Sequence, residues 1–211
     1  MAIMAGFRIQ PPLFFRWIYP GAYWREQSAV PAVYLTFDDG PVPEVTSWVL
    51  DVLKTSGIKA SFFCLGRNVE QNPEIYERIC KEGHSVGNHT YHHPKSSKST
   101  QLEYLNDIEK AAQYINSEFF RPPYGNLWPH WAAELKKKYK LVFWDVLSED
   151  YDASKTPEHC FNTVMRYTRN GSVIVFHDSL KAKDRLMPVL PKIIESLKQK
   201  GYAFKTLADL N

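Results

Sequence analysis

Ala32-Val33-Tyr34-Leu35-Thr36-Phe37-Asp38-Asp39-Gly40-Pro41 begins as a strand and ends on charge. Ala32 to Phe37 is a short, nearly continuous apolar run rich in β-branched and aromatic residues, as in a strand buried on both faces. Two carboxylates and a Gly-Pro turn close it. Glu44 to Ser56 follows with helical periodicity, through Val45, Trp48, Val49, Val52 and Leu53, and stops at Gly57. A buried strand feeding a helix is one βα unit, and the rest of the chain repeats the pattern.

Downstream, Ala60 to Leu65 reads as a second strand, and Pro73 to Lys81 as a helix with Gly83 just past its end. His84 to Asn88 is a short strand, Thr100 to Asn116 a long amphipathic helix, and Pro129 to Lys138 another helix. Leu141 to Trp144 is a strand, Pro157 to Thr168 a helix, Ser172 to Phe176 a strand, and Asp184 to Lys200 the last long helix. Ala203 to Thr206 closes the sheet. Alternation of this kind predicts an α/β fold, a parallel sheet covered by helices. With six or seven βα units, a barrel and a doubly wound sheet both remain open. Both place functional groups at the C-terminal ends of strands. The polar clusters fall there: Asp38-Asp39, then Asp145 and Asp150, then His177-Asp178.

The 211 residues fit one catalytic domain, residues 31–211, preceded by an extension, residues 1–30, that packs on it. A hydrophobic content of 44% and a charged content of 23% are those of an ordinary globular protein. A net charge of +3 lacks the dense basic face of a nucleic-acid binder. Cys64, Cys80 and Cys160 form neither a disulfide framework nor a CxxC metal pair, and Cys64 lies in an apolar run as a buried thiol. The apolar stretch from Leu13 to Tyr19 is broken by Arg16 and ended by Pro20, too short for an export signal or a membrane span. The expectation is a chain without a transmembrane segment, cytoplasmic by default. Oligomeric state is not readable.

Chemistry concentrates in a few places. Successive side chains on a strand alternate, so Asp38 and Asp39 point apart and suit two roles, a base and a cation ligand. In Gly83-His84-Ser85-Val86-Gly87-Asn88-His89-Thr90-Tyr91-His92-His93-Pro94, four of the seven histidines crowd together. His89 and His93 have the i, i+4 spacing that lets two imidazoles on one helical turn share a metal. With Asp39 they make a one-carboxylate, two-imidazole set that leaves positions for water and substrate. Non-haem iron oxygenases use the same set, so the ligands alone do not choose the reaction. Phe120-Arg121-Pro122-Pro123-Tyr124-Gly125 is a stiff loop that fixes the path of an arginine. Val173-Ile174-Val175-Phe176-His177-Asp178 ends a hydrophobic strand in a histidine suited to general acid work.

Taken in order, these motifs resemble the polysaccharide deacetylase family, carbohydrate esterase family 4. Thr36-Phe37-Asp38-Asp39-Gly40 matches the first family motif, His89-Thr90-Tyr91-His92-His93 the second and Arg121-Pro122-Pro123-Tyr124 the third. Asp150-Tyr151 matches the end of the fourth, and Val175-Phe176-His177 resembles the fifth. The resemblance spans Val33 to Leu207. It implies a distorted (β/α) barrel of about seven parallel strands. It implies Asp38 as general base, and Asp39, His89 and His93 as ligands of one divalent ion, zinc by default with cobalt or nickel suitable. Arg121 would hold Asp38, Asp150 would tune the general acid His177, and Tyr124 would lend its backbone N–H to the oxyanion. Tyr151 and Val175 would wall the acetyl methyl.

The implied reaction is removal of N-acetyl groups from N-acetylglucosamine units of a chitin-like or peptidoglycan carbohydrate. The same fold serves O-acetyl esterases and small cyclic-amide hydrolases, and a non-catalytic carbohydrate-binding domain is a further alternative. The sequence departs from the family where the fourth motif often carries a second Asp and this chain has Leu147. Trp128 and Trp131, just after the Arg121 loop, are candidates for a sugar platform, with Trp128 the better placed. Trp24, Trp48 and Trp144 read as packing residues. Lys136-Lys137-Lys138 with Lys140 reads as a solvated helix end.

Overall fold

A computed structural model describes residues 9–26 and 29–210; the first eight residues of the N-terminal extension lie outside it. A short helix α1 (Phe15–Ile18) precedes β1 (Ala32–Asp38), α2 (Pro43–Ser56) and β2 (Ser61–Cys64). Next come α3 (Gly66–Gln71), α4 (Pro73–Lys81), β3 (Ser85–Asn88), α5 (Gln101–Ala112), β4 (Phe119–Phe120) and α6 (Pro129–Leu135). β5 (Lys140–Leu141), β6 (Val146–Leu147), α7 (Pro157–Tyr167), β7 (Val173–His177), α8 (Lys183–Leu186), α9 (Leu190–Gln199) and β8 (Ala203–Lys205) complete the described elements.

Seven strands pair in the order β5-β4-β3-β2-β1-β7-β6, and every pairing is parallel. β1 is central and wholly buried. Its side chains alternate: Val33, Leu35 and Phe37 pack under the helices with Val49, Leu53 and Ile193, while Tyr34 packs with Phe63 and Val173 inside the curve of the sheet. β2 takes only Thr36–Asp38 of β1, and β8 pairs with Ala32–Tyr34 below it. The result is the curled, distorted (β/α) barrel that the family resemblance implies.

Two expected elements break. Of the expected strand Leu141–Trp144 only Leu141 is in a strand, in β5 against β4, and β6, against β7, begins beyond it at Val146. These are the two ends of the sheet order, so one extended stretch closes the curl. Between them the Tyr23 backbone intrudes, accepting from the Phe143 N–H at 2.8 Å and donating to the Leu141 carbonyl at 2.8 Å. The last helix is not continuous from Asp184 to Lys200 but splits into α8 and α9. Pro188 has no N–H to continue the ladder, although Met187 keeps helical φ and ψ of −59° and −43°, and Pro191 suits the first turn of a new helix. α5 also ends sooner than expected, at Ala112, but starts on a complete capping box between Thr100 and Glu103.

Before β1, Trp24 stacks on Phe143 with ring centroids 4.3 Å apart, and the Tyr19 hydroxyl donates to the Leu127 carbonyl. Among the described residues no helix is long and apolar enough to cross a membrane.

Candidate active site

The sheet register builds the site. Asp38 is the last residue of β1 and sits directly beside His177, the last of β7. His89 follows β3, Arg121 follows β4 and Asp150 follows β6. All of them leave the C-terminal ends of parallel strands, where side chains from different strands converge. The resulting cleft has a volume of about 600 Å³ and is lined by Asp38, Asp39, His89, His93, Tyr124, Tyr151, Val175 and His177. Sequence reasoning picked out each of these.

Arg121 is fully buried, yet each of its three nitrogens donates a hydrogen bond. Nη1 donates to Asp38 Oδ1 at 2.6 Å and to Thr36 Oγ1 at 2.8 Å, Nη2 to the Phe143 carbonyl at 2.9 Å, and Nε to the Val142 carbonyl at 3.3 Å. The guanidinium also lies 4.0 Å over the Phe63 ring. The carbonyls of residues 142 and 143 belong to the gap between β5 and β6. The broken strand therefore supplies acceptors that a continuous ladder would have consumed. Burial pushes the Asp38 carboxyl up from its ordinary value, and Arg121 pulls it back.

Asp39, His89 and His93 offer ligand atoms within 4.8 Å of one another. His89 Nε2 lies 3.7 Å and His93 Nε2 3.4 Å from Asp39 Oδ1. Ligand atoms held about 2.0–2.1 Å from one ion at tetrahedral angles sit about 3.3–3.4 Å apart. Asp39 Oδ1 is buried without a hydrogen-bond partner, a costly state that a cation relieves. His89 Nδ1 faces the Arg121 carbonyl at 2.7 Å, which fixes the tautomer with Nε2 as the lone pair. Burial lowers the affinity of both histidines for protons, so both stand neutral and ready to ligate. These residues fit a divalent ion.

The i, i+4 pair converges without a helix. Thr90 and His93 have φ of 70° and 64°, so His89 to His93 is a loop that curls back on itself. Asp107 on α5 accepts from the Tyr91 and His92 N–H groups at 2.9 Å each and engages His92 Nδ1 at 2.5 Å. Asn88 Oδ1 accepts from the Thr90 N–H at 2.8 Å, and the Thr90 hydroxyl from the His93 N–H at 3.0 Å. His92 is thus a surface brace. His84 is structural too: its Nδ1 accepts from the Ala60 N–H at 3.1 Å, and burial lowers its pKa to about 4.

On the other side, Asp150 uses both oxygens on His177, accepting from its N–H at 2.8 Å and meeting Nδ1 at 2.7 Å. Nε2 is left for the cleft. Burial opposes the imidazolium, but Asp150, with Asp39 and Asp38, outweighs it and raises His177 to about 9. Tyr124 has φ 61°, its N–H bonds no described residue, and its ring lies 4.5 Å from that of His93. Tyr151 lies edge-on to His177 with centroids 5.1 Å apart.

Three expectations shift. Asp145 does not join the site: Arg169 and Ser172 hold it, at 2.6 and 2.7 Å. Trp144 packs against the core cluster of Trp24 and Phe143 as expected, and it also walls the cleft, with Leu147 in the same lining. Trp128 lies outside the lining, its Nε1 donating to the Ser96 carbonyl at 3.3 Å, and Trp131 is core. Asp178 is buried under the Asp39 turn, accepting from the Gly40 N–H at 3.0 Å and the Thr46 hydroxyl at 2.6 Å; burial raises it to about 8. Sequence reasoning also missed Asn68, which donates to the Asp39 carbonyl at 2.7 Å, and Lys95, Asn126 and Lys181 in the lining. No motif spacing announces any of them.

A family profile described as polysaccharide deacetylase matches residues 25–144. The chain belongs to the polysaccharide deacetylase family. It is 39% identical over 188 residues to a peptidoglycan-N-acetylglucosamine deacetylase of Bacillus cereus, covering 84% of this chain and 67% of that protein. It is 35% identical over 184 residues to the peptidoglycan-N-acetylglucosamine deacetylase PgdA of Listeria monocytogenes, covering 84% of this chain and 38% of that one. The structure superposes on the crystal structure of the Bc1960 peptidoglycan N-acetylglucosamine deacetylase with a TM-score of 0.87. That match is 35% identical and covers 94% of this chain and 96% of the other. As a polysaccharide deacetylase the protein is a hydrolase of carbohydrate-esterase type.

Proposed function

We propose that this deacetylase hydrolyses the N-acetyl group of N-acetylglucosamine units in peptidoglycan-type glycans, using Asp39, His89 and His93 to hold one divalent ion. The observation that carries the proposal is the joint one: an unpartnered buried Asp39 oxygen faced by two neutral imidazoles, with Asp38 and His177 side by side at the ends of β1 and β7. The glycan is taken from the relatives, which are peptidoglycan-N-acetylglucosamine deacetylases. The donor set suits zinc, cobalt or nickel, and zinc is the default.

A divalent ion bound there would lower the pKa of a water and polarise the acetyl carbonyl. Asp38, aimed by Arg121 and Thr36, takes the proton from the attacking water. Its carboxyl, pushed up by burial, holds that proton better than an exposed Asp would. As the carbonyl oxygen gains charge, the free Tyr124 N–H donates to it. His177, cationic at neutral pH, then protonates the leaving sugar amine through Nε2. A C–O bond forms, the C–N bond breaks, and acetate and a glucosamine unit leave. Tyr151, Leu147 and Val175 form the wall against which the acetyl methyl rests.

The test is acetate release from N-acetylglucosamine oligomers and from peptidoglycan fragments, using chelated protein before and after zinc or cobalt is added. Release restored by metal and abolished in Asp38→Asn and His177→Ala supports the proposal. Full activity in either variant, or release only from O-acetyl or cyclic-amide substrates, overturns it.

A further inference from the structure

Each carboxylate in the cleft has its own cation. Asp38 is matched by Arg121 and Asp150 by the imidazolium of His177, while Asp39 belongs to the set that fits a divalent ion. Two ammonium groups in the same lining, Lys95 and Lys181, form no ion pair within 4.0 Å among the described residues; Asp152 is the carboxylate whose pKa Lys181 helps to lower. The two lysines put positive charge on the rim of the cleft, although the chain carries a net charge of only +3.

Both lysines are placed by the fold. Lys95 follows Pro94 in the loop after β3, and its Nζ lies 4.7 Å over the Tyr124 ring. The adjacent Ser96 is buried, and its hydroxyl lies 2.9 Å from both the Asn126 carbonyl and the Asn126 side chain, which pins this loop to the Tyr124 loop. Lys181 follows β7, with its Nζ 5.7 Å from the centre of the Tyr151 ring. Its segment is held from behind by Arg185, which donates to the Asp150 carbonyl at 2.6 Å and to the Lys181 carbonyl. β3 and β7 lie on opposite sides of β1 in the sheet order. The lysines thus stand on opposite rims, each beside the tyrosine that flanks one half of the site. A long substrate crossing the acetyl-cleaving point passes one and then the other.

We propose that Lys95 and Lys181 select a glycan bearing carboxylates on sugars flanking the scissile N-acetyl group, in preference to a neutral chain of the same sugars. The selection rests on the deacetylase reading above and adds to it the charge of the substrate. Peptidoglycan strands stripped of their stem peptides answer this description, since their lactyl groups then end in free carboxylates; in intact peptidoglycan those carboxyls are taken up in amides to the peptide, and chitin has none. Partly exposed charges act through encounter and binding, and salt screens them. Their effect therefore belongs in KM and falls as ionic strength rises.

Two tetrasaccharides test this: one of alternating N-acetylglucosamine and N-acetylmuramic acid with free lactyl carboxylates, and the same compound with those carboxyls converted to amides. Acetate release and calorimetric binding are measured for both on the metal-loaded protein. The wild type is expected to favour the carboxylate form in kcat/KM, with the gap closing in about 0.5 M salt. Lys95→Gln and Lys181→Gln should each shrink the ratio between substrates by about threefold, and together by about tenfold, through KM. Lys181→Glu should push the ratio further towards the amide than Lys181→Gln does. A wild-type ratio at or below one, or a ratio unchanged in the variants, overturns the selection. Absence of acetate release from both compounds would count against the deacetylase reading instead, and the calorimetric ratio would still decide the lysines.

Discussion

Replacing Asp150 by Asn leaves the shape of the His177 pocket nearly intact and removes its charge. In the native protein burial works against the imidazolium, yet the carboxylate at 2.7 Å and its companions raise His177 to about 9. Without Asp150 the burial penalty remains and its main counterweight is gone, so His177 should fall at least to its ordinary value of about 6.5. At pH 7.5 a group with pKa 9 is about 97% protonated and one with pKa 6.5 about 9%, so loss of the acid form alone costs about tenfold in rate. The assay is acetate release from pH 5.5 to 10 with metal in excess. The alkaline limb near pH 9 in the wild type should move down by two units or more in Asp150→Asn.

Stability provides a second readout. His177 has a folded pKa above its unfolded one, so its stabilising contribution is complete below about pH 6.5 and is lost as pH rises through about 9. The shift corresponds to a contribution on the order of 3 kcal/mol at pH 6. Wild type and Asp150→Asn should differ most in urea unfolding at pH 6 and converge above pH 9. An alkaline limb that stays near pH 9 in Asp150→Asn would refute the assignment of His177 as the acid tuned by Asp150.

Other perturbations have defined outcomes. Arg121→Met leaves Asp38 buried without its cation and should cost about 3–5 kcal/mol in chemical denaturation; any residual activity should show its acid limb displaced upward, because Asp38 loses the group that pulls it down. His93→Ala removes one of three ligand atoms and should weaken cobalt binding, followed by visible absorption or calorimetry, by more than about a hundredfold. Gly66→Ala would set a Cβ 2.8 Å from the Ala111 Cα and the Tyr91 ring, where backbone cannot yield; a loss of about 1–3 kcal/mol, or about 3–10 °C in thermal melting, is expected. Gly125→Ala adds a Cβ 2.2 Å from the Trp144 ring at φ 61° and should raise KM by moving that wall of the cleft.

Local chemistry makes much of this protein legible without coordinates. An apolar run that ends in Asp38-Asp39, and another that ends in His177, mark strand ends because a charge inside a buried strand is costly unless a partner is built for it. His89 and His93 stand out by density, and Arg121 by the prolines that stiffen its loop. Repeated βα alternation then requires a parallel sheet, and a parallel sheet gathers its strand ends at one edge. The strand-end set of base, acid and metal candidates was readable from those rules together with the family resemblance.

What stayed hidden depends on groups far apart in sequence. The gap at residues 142–145 exists because Tyr23 and Arg121 compete for backbone groups that a regular strand would pair, and neither partner is local. Trp144, in the same gap, packs on the core and also faces the cleft. His89 and His93 converge through positive φ values held by Asp107, Asn88 and Thr90 rather than through helical spacing. Lys95 and Lys181 resemble any surface lysines until the order of strands sets them on opposite rims. Sequence alone determined which chemical groups the protein brings to its strand ends. Tertiary structure decided which of them meet, because hydrogen-bond competition and charge pairing act through space and leave no period in the chain.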